Sequence, residues 1–115
     1  MGDRANVRIR YEDGQDIYFY THWSGTEMPG TVAASLARGR SRWDDESYLA
    51  RILFCDLVKG DELGLTGFGI APYIGDNEHP ILTVDMKHRR VEIEGRGAWS
   101  FEEYATSPSL AEVEK

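Results

Sequence analysis

Residues 48–58 read Tyr-Leu-Ala-Arg-Ile-Leu-Phe-Cys-Asp-Leu-Val, the longest apolar run of the chain. Leu49, Ile52, Leu53 and Leu57 recur at helical spacing, and Tyr48, Phe54, Cys55 and Val58 widen the apolar surface beyond one stripe. A face of that width belongs to a helix buried against a sheet. Asp44, Asp45 and Glu46 precede the run, where a carboxylate caps free N–H groups and meets the positive end of the helix dipole. Gly60 supplies a stop.

Toward the N-terminus, Ser24 to Glu27 has capping-box spacing and Pro29 suits a first helical turn, so a helix is expected to run to about Arg38 and end at Gly39. Before it, Val7, Ile9 and Tyr11 alternate with Arg8 and Arg10, the period of a half-buried strand. Asp13-Gly14 marks a hairpin. The return strand, Ile17 to Thr21, is apolar or aromatic on both sides, which predicts a central place in the sheet; Tyr18, Tyr20 and His22 share one of its faces.

Toward the C-terminus, FGIAPYIG (68–75) reads as an edge strand weakened by glycine and Pro72. Gly75 to Pro80 is a polar turn, Ile81 to Met86 a strand, and Lys87 to Arg90 a tight connection to a strand at Val91 to Glu94. Ser100 and Glu103 predict a capped short helix near Phe101 to Ala105, and Ser107-Pro108 a start for another. The expected fold is an α+β two-layer sandwich in the order ββααβββ. Two helices cover one face of a mainly antiparallel sheet, and a short helix follows. One domain over 1–106 and a mobile tail over 107–115 are expected.

With one cysteine the chain has no disulfide framework, and no apolar run approaches a membrane span. The opening MGDRANVRIR lacks a signal-peptide core, so the expected location is cytoplasmic. A net charge of −7 argues against general nucleic-acid binding. The charge is patterned: between Ile52 and Met86 the only base is Lys59, against six acids.

His22-Trp23-Ser24-Gly25, Pro29, the linker from Arg38 to Asp45, the Tyr48–Arg51 helix start and the later TGFGIAPYIGDNEHPILTVD carry a resemblance over roughly Tyr18 to Val91. The chain resembles a group of short bacterial and phage proteins without a known activity. The resemblance implies a phage or prophage origin, hence the host cytoplasm, and implies nothing about chemistry.

Arg38, Arg40, Arg42 and Trp43 beside a helix start form the most suggestive cluster. Arginine forks bind phosphate or carboxylate, helix N-termini favour anions, and an indole offers a stacking face. Tyr20 and His22 would complete such a pocket. The plainer reading is an ion-paired linker with Trp43 packed over the core, and a His22–Trp23 corner that is structural. A metal held by His22, His79 and one of Asp76, Glu78 or Asp85 lacks any motif, so no metal or cofactor is expected. Cys55, His22 and Asn77 have thiol-hydrolase residue types, but Cys55 reads as core. Gly64-x-x-Gly67-x-Gly69 precedes a strand and reads as turn chemistry, not a phosphate loop.

These readings favour a non-enzymatic binding protein for a host protein or small anionic ligand. Two alternatives stand beside it: a nucleotide- or phosphoester-directed enzyme using His22 with the arginines, and an oligomeric structural accessory that meets a second copy of itself.

Overall fold

Alternating side chains and two amphipathic helices resolve into a six-stranded sheet with its helices on one face. The computed structural model describes residues 2–106. Strands β1 (Ala5–Arg10) and β2 (Asp16–Thr21) form the hairpin. Helix α1 (Met28–Arg38) follows, then a 3-10 turn at Arg40–Arg42 and helix α2 (Glu46–Leu57). Four strands complete the sheet, β3 (Phe68–Ala71), β4 (Leu82–Asp85), β5 (Arg90–Ile93) and β6 (Gly97–Ser100), and helix α3 (Phe101–Thr106) closes the described chain. The expected α+β architecture is what the chain forms, with β6 as a strand beyond those read from the sequence. The further helix start expected at Ser107-Pro108 and the 107–115 tail lie outside the described residues.

The spatial order is β3-β2-β1-β4-β5-β6. Among the described strands only β1 and β4 run parallel; every other neighbouring pair is antiparallel. The centre is therefore β1–β4, and β2 lies one strand in from the edge instead of centrally. The helices cover only one of its two apolar faces, where Phe19 is buried, 5.1 Å edge-on from Phe54 of α2; on the other, the Tyr18 hydroxyl accepts from Arg8 and Tyr20 bonds His22.

Val7, Ile9, Leu82, Val84, Val91 and Ile93 point to the helix side and are buried, joined by Leu36 of α1, Leu49 and Leu53 of α2, and Phe101 and Tyr104 of α3. Full burial of such a side chain contributes roughly 1.5–3 kcal/mol, so this layer dominates stability. The stripe on α2 is narrower than expected. Leu49, Ala50, Ile52, Leu53 and Leu57 are buried, whereas Tyr48 is 49% exposed and Cys55 is exposed. Cys55 therefore does not join the core: it is four residues from Arg51, whose guanidinium lies 3.9 Å from its sulfur on the outer helix face.

Caps follow the sequence in two places of three. Asp45 accepts from the Tyr48 N–H at 3.3 Å at the start of α2. Before α3, Ser100 N–H donates to Glu103 and Glu103 N–H to Ser100 Oγ, at 2.8 and 3.0 Å, a complete reciprocal box. The Ser24–Glu27 box does not form. Glu27 N–H donates instead to the Ser24 carbonyl, and the Thr21 hydroxyl takes the Ser24 N–H at 3.0 Å. The chain turns before Ser24 can reach a helix N–H.

Candidate functional site

The arginine linker is tied to the elements around it. Arg38 pairs with Asp56 of α2 at 2.8 Å, and Asp56 also accepts from the buried Ser35 hydroxyl at 2.6 Å, so this charge staples α1 to α2. Arg40 pairs with Glu102 of α3 and lies 4.7 Å over the Trp43 ring. Arg42 lies 5.0 Å over Tyr48. Trp43 donates its indole N–H to the Leu36 carbonyl at 3.0 Å and meets Phe101 edge-on at 5.5 Å. Asp44 pairs with Arg89, and Glu46 accepts the Glu12 N–H, which puts the linker beside the β1–β2 and β4–β5 turns.

Tyr20 and His22 are hydrogen-bonded to each other at 3.1 Å across two residues of one strand face. They stand at the other end of the strands. His22 N–H donates to the Gly67 carbonyl, and its own carbonyl accepts the Asp3 N–H. The structure thus brings Tyr20 to His22, and gathers Arg38, Arg40, Arg42 and Trp43, but holds the two groups at opposite ends of the sheet.

Around His22 the polar groups are engaged in holding the chain. Asp3 accepts from His79 at 2.5 Å and from the Thr26 N–H at 2.8 Å. Partial burial works to raise the Asp3 pKa, but the Thr26 and His79 bonds outweigh it and hold the carboxyl below its ordinary range. Gly25 is confined there: a Cβ would lie 2.6 Å from the Asp3 carbonyl and 2.7 Å from the His79 ring. Asn6, fully buried, accepts the Gly75 N–H and donates to the Asp76 carbonyl and the Asn77 side chain, at 3.0, 3.1 and 3.1 Å. Asn77 in turn donates to the His79 carbonyl at 2.5 Å, so the Asp76–Pro80 stretch is a turn held by its own side chains. Asp85 caps Lys87 and His88 and bonds the His88 ring at 2.9 Å, away from His22 and His79. Among the described residues no cluster of three metal-ligating side chains forms.

The feature that sequence reading missed is apolar. Five of the seven exposed large hydrophobic residues among those described lie between Leu63 and Ile74: Leu63 at 94%, Leu65 at 99%, Ile70 at 58%, Tyr73 at 66% and Ile74 at 43%. They flank β3, an edge strand with a hollow on each face. On the helix side, a cavity of about 250 Å³ is lined by Tyr11, Ile17, Phe19, Ala50, Phe54 and Ile70, together with Arg51. On the open side, one of about 430 Å³ is lined by Tyr20, Gly69, Ala71, Tyr73, Gly75 and Asp76. The available signal was Leu63 and Leu65 set among glycines and acids, apolar residues in a turn-rich stretch that no strand or helix period could bury.

Comparison with protein families finds no matching family model, and comparisons with curated proteins and with solved structures find no match. Among the described residues no helix is long and apolar enough to cross a membrane.

Proposed function

We propose that the chain is a binding protein, not an enzyme, and that it docks another protein through the Leu63–Ile74 surface. The observation that carries this reading is the concentration of exposed apolar side chains around a sheet edge that is unpaired among the described residues. Exposed apolar residues scattered singly are ordinary; five within twelve residues of one sheet edge are the kind of concentration an interaction surface uses. The alternative groups that chemistry could use have internal work. Arg38 and Arg40 neutralise Asp56 and Glu102, and His22 is hydrogen-bonded to Tyr20. That occupancy favours a protein partner over a small anion held at the linker, and the resemblance to bacterial and phage proteins is compatible with a host protein in that role.

Selection from a random-peptide display library tests the reading. The full chain is the bait, and the triple variant Leu65→Ser, Ile70→Ser, Tyr73→Ser, altered only at exposed positions, is the counter-bait. Peptides that enrich on the first and not on the second are the expected result. Enrichment indifferent to the three substitutions contradicts it.

A further inference from the structure

Resting on that docking surface, the geometry points to its mode of use: we infer that β3 accepts an extended segment of a partner protein as a seventh strand, apolar where it faces the helices and basic where it faces the open side.

The backbone argument comes first. His22 donates to the Gly67 carbonyl at 2.8 Å, and the register places Tyr20 opposite Gly69 and Tyr18 opposite Ala71. Hydrogen-bonded and non-bonded pairs alternate along an antiparallel ladder. Gly69 and Ala71 therefore bond inward to β2, while the N–H and C=O groups of Phe68 and Ile70 aim outward at the sheet's edge. Edge strands are usually guarded by charge or proline. Phe68 to Ala71 holds no charged residue, and Pro72 occupies the next outward position, where it supplies no N–H. The edge is thus open for two residue pairs and then stops, which limits both register and uncontrolled growth.

Side-chain recognition follows from the two hollows. A strand beside β3 sets alternate residues on opposite faces. Those on the helix side meet Ile17, Phe19, Phe54 and Ile70, and the Arg51 charge in the same lining disfavours a base. Those on the open side pass Gly69 and Ala71, which are too small to fill the space, and reach Tyr20, Tyr73 and Asp76. A long cationic side chain suits that hollow, through the ring faces and the carboxylate together. The Asp76 carboxylate is exposed, and its ion pair with Arg4, at 3.6 Å, is longer than the 3.1 Å pair Arg4 makes with Glu78. Burial, and after it the Asp76 carboxylate, push the Tyr20 phenol upward against the opposing Arg4. Charge also disfavours a second copy of the chain as occupant. Pairing β3 with itself would bring the acidic flanks, Asp61 and Glu62 of one copy and Asp76 of the other, together across molecules of net charge −7.

The test uses the full 15N-labelled chain and two capped seven-residue peptides, one alternating valine with lysine and one alternating valine with glutamate. Amide hydrogen exchange is read residue by residue. The lysine peptide should slow exchange at Phe68 and Ile70 by at least about tenfold, the glutamate peptide should not, and Asp76→Asn should weaken lysine-peptide binding by about threefold or more. Binding that leaves those two amides exchanging, equal binding of both peptides, or no shift at millimolar peptide overturns the inference. So does protection that rises with protein concentration alone, which would assign the edge to a second copy. Display-selected ligands that need Leu65 and Tyr73 but leave Phe68 and Ile70 unprotected would retain the docking surface and reject strand addition.

Discussion

The Trp23 indole covers the backbone of Gly67 so closely that a Cβ added there would overlap its six-membered ring. The contact joins the end of β2 to the start of β3, and the Trp23 ring continues edge-on to Phe68 at 5.8 Å. Gly67 also adopts φ of +97°, a backbone region that side chains rarely enter.

Gly67→Ala therefore meets two penalties, backbone strain and displacement of Trp23. The expected loss is about 2 kcal/mol or more, read as a lower urea midpoint at unchanged slope. Gly69→Ala is the control, because a Cβ there meets open space, and it should be nearly neutral.

Acid should loosen the β4–β5 turn. Burial tends to raise the pKa of Asp85, but the bonds from the His88 ring and backbone and from Lys87 prevail, leaving it below the ordinary 3.8. A carboxyl depressed on folding stabilises fully above its unfolded pKa, and that contribution is lost as pH falls through the folded value. Asp85→Asn should cost about 1 kcal/mol or more at pH 7. The gap between variant and wild type should then narrow below about pH 4 as the wild-type carboxylate is protonated. Urea unfolding at pH 7, 4 and 3 measures it; a gap constant with pH would contradict the assignment.

Cys55 should react under native conditions. It lies on the outer face of α2, where the structure leaves it exposed. Titration of the folded chain with a disulfide reagent should consume one equivalent of thiol at a rate that denaturant raises only modestly. A thiol that resists until unfolding would return Cys55 to the core.

The fold was legible because its strongest signals are local. The hairpin at Asp13-Gly14, the Leu49–Leu57 helix and the Ser100–Glu103 box each follow from spacing within one turn or strand. What remained hidden depends on contacts distant in the chain. The parallel β1–β4 pairing joins residues over seventy positions apart, such as Val7 and Leu82, and it moved β2 out of the centre. Cys55 sits within an apolar run, yet the helix turns it away from Leu53 and Leu57. The arginine cluster was legible in composition but not in consequence, since Asp56 and Glu102, which bind Arg38 and Arg40, lie well downstream. Tyr20 and His22 share one face as their spacing implies, but no periodicity encodes their distance from Trp43.

Backbone amide shift mapping of the tightest display-selected peptide on the 15N-labelled chain tests the binding reading most directly. Shifts concentrated between residues 63 and 76, with few at the linker, are the expected result. Shifts concentrated at Arg38 to Asp45 would contradict it and restore the arginine linker as the site of recognition.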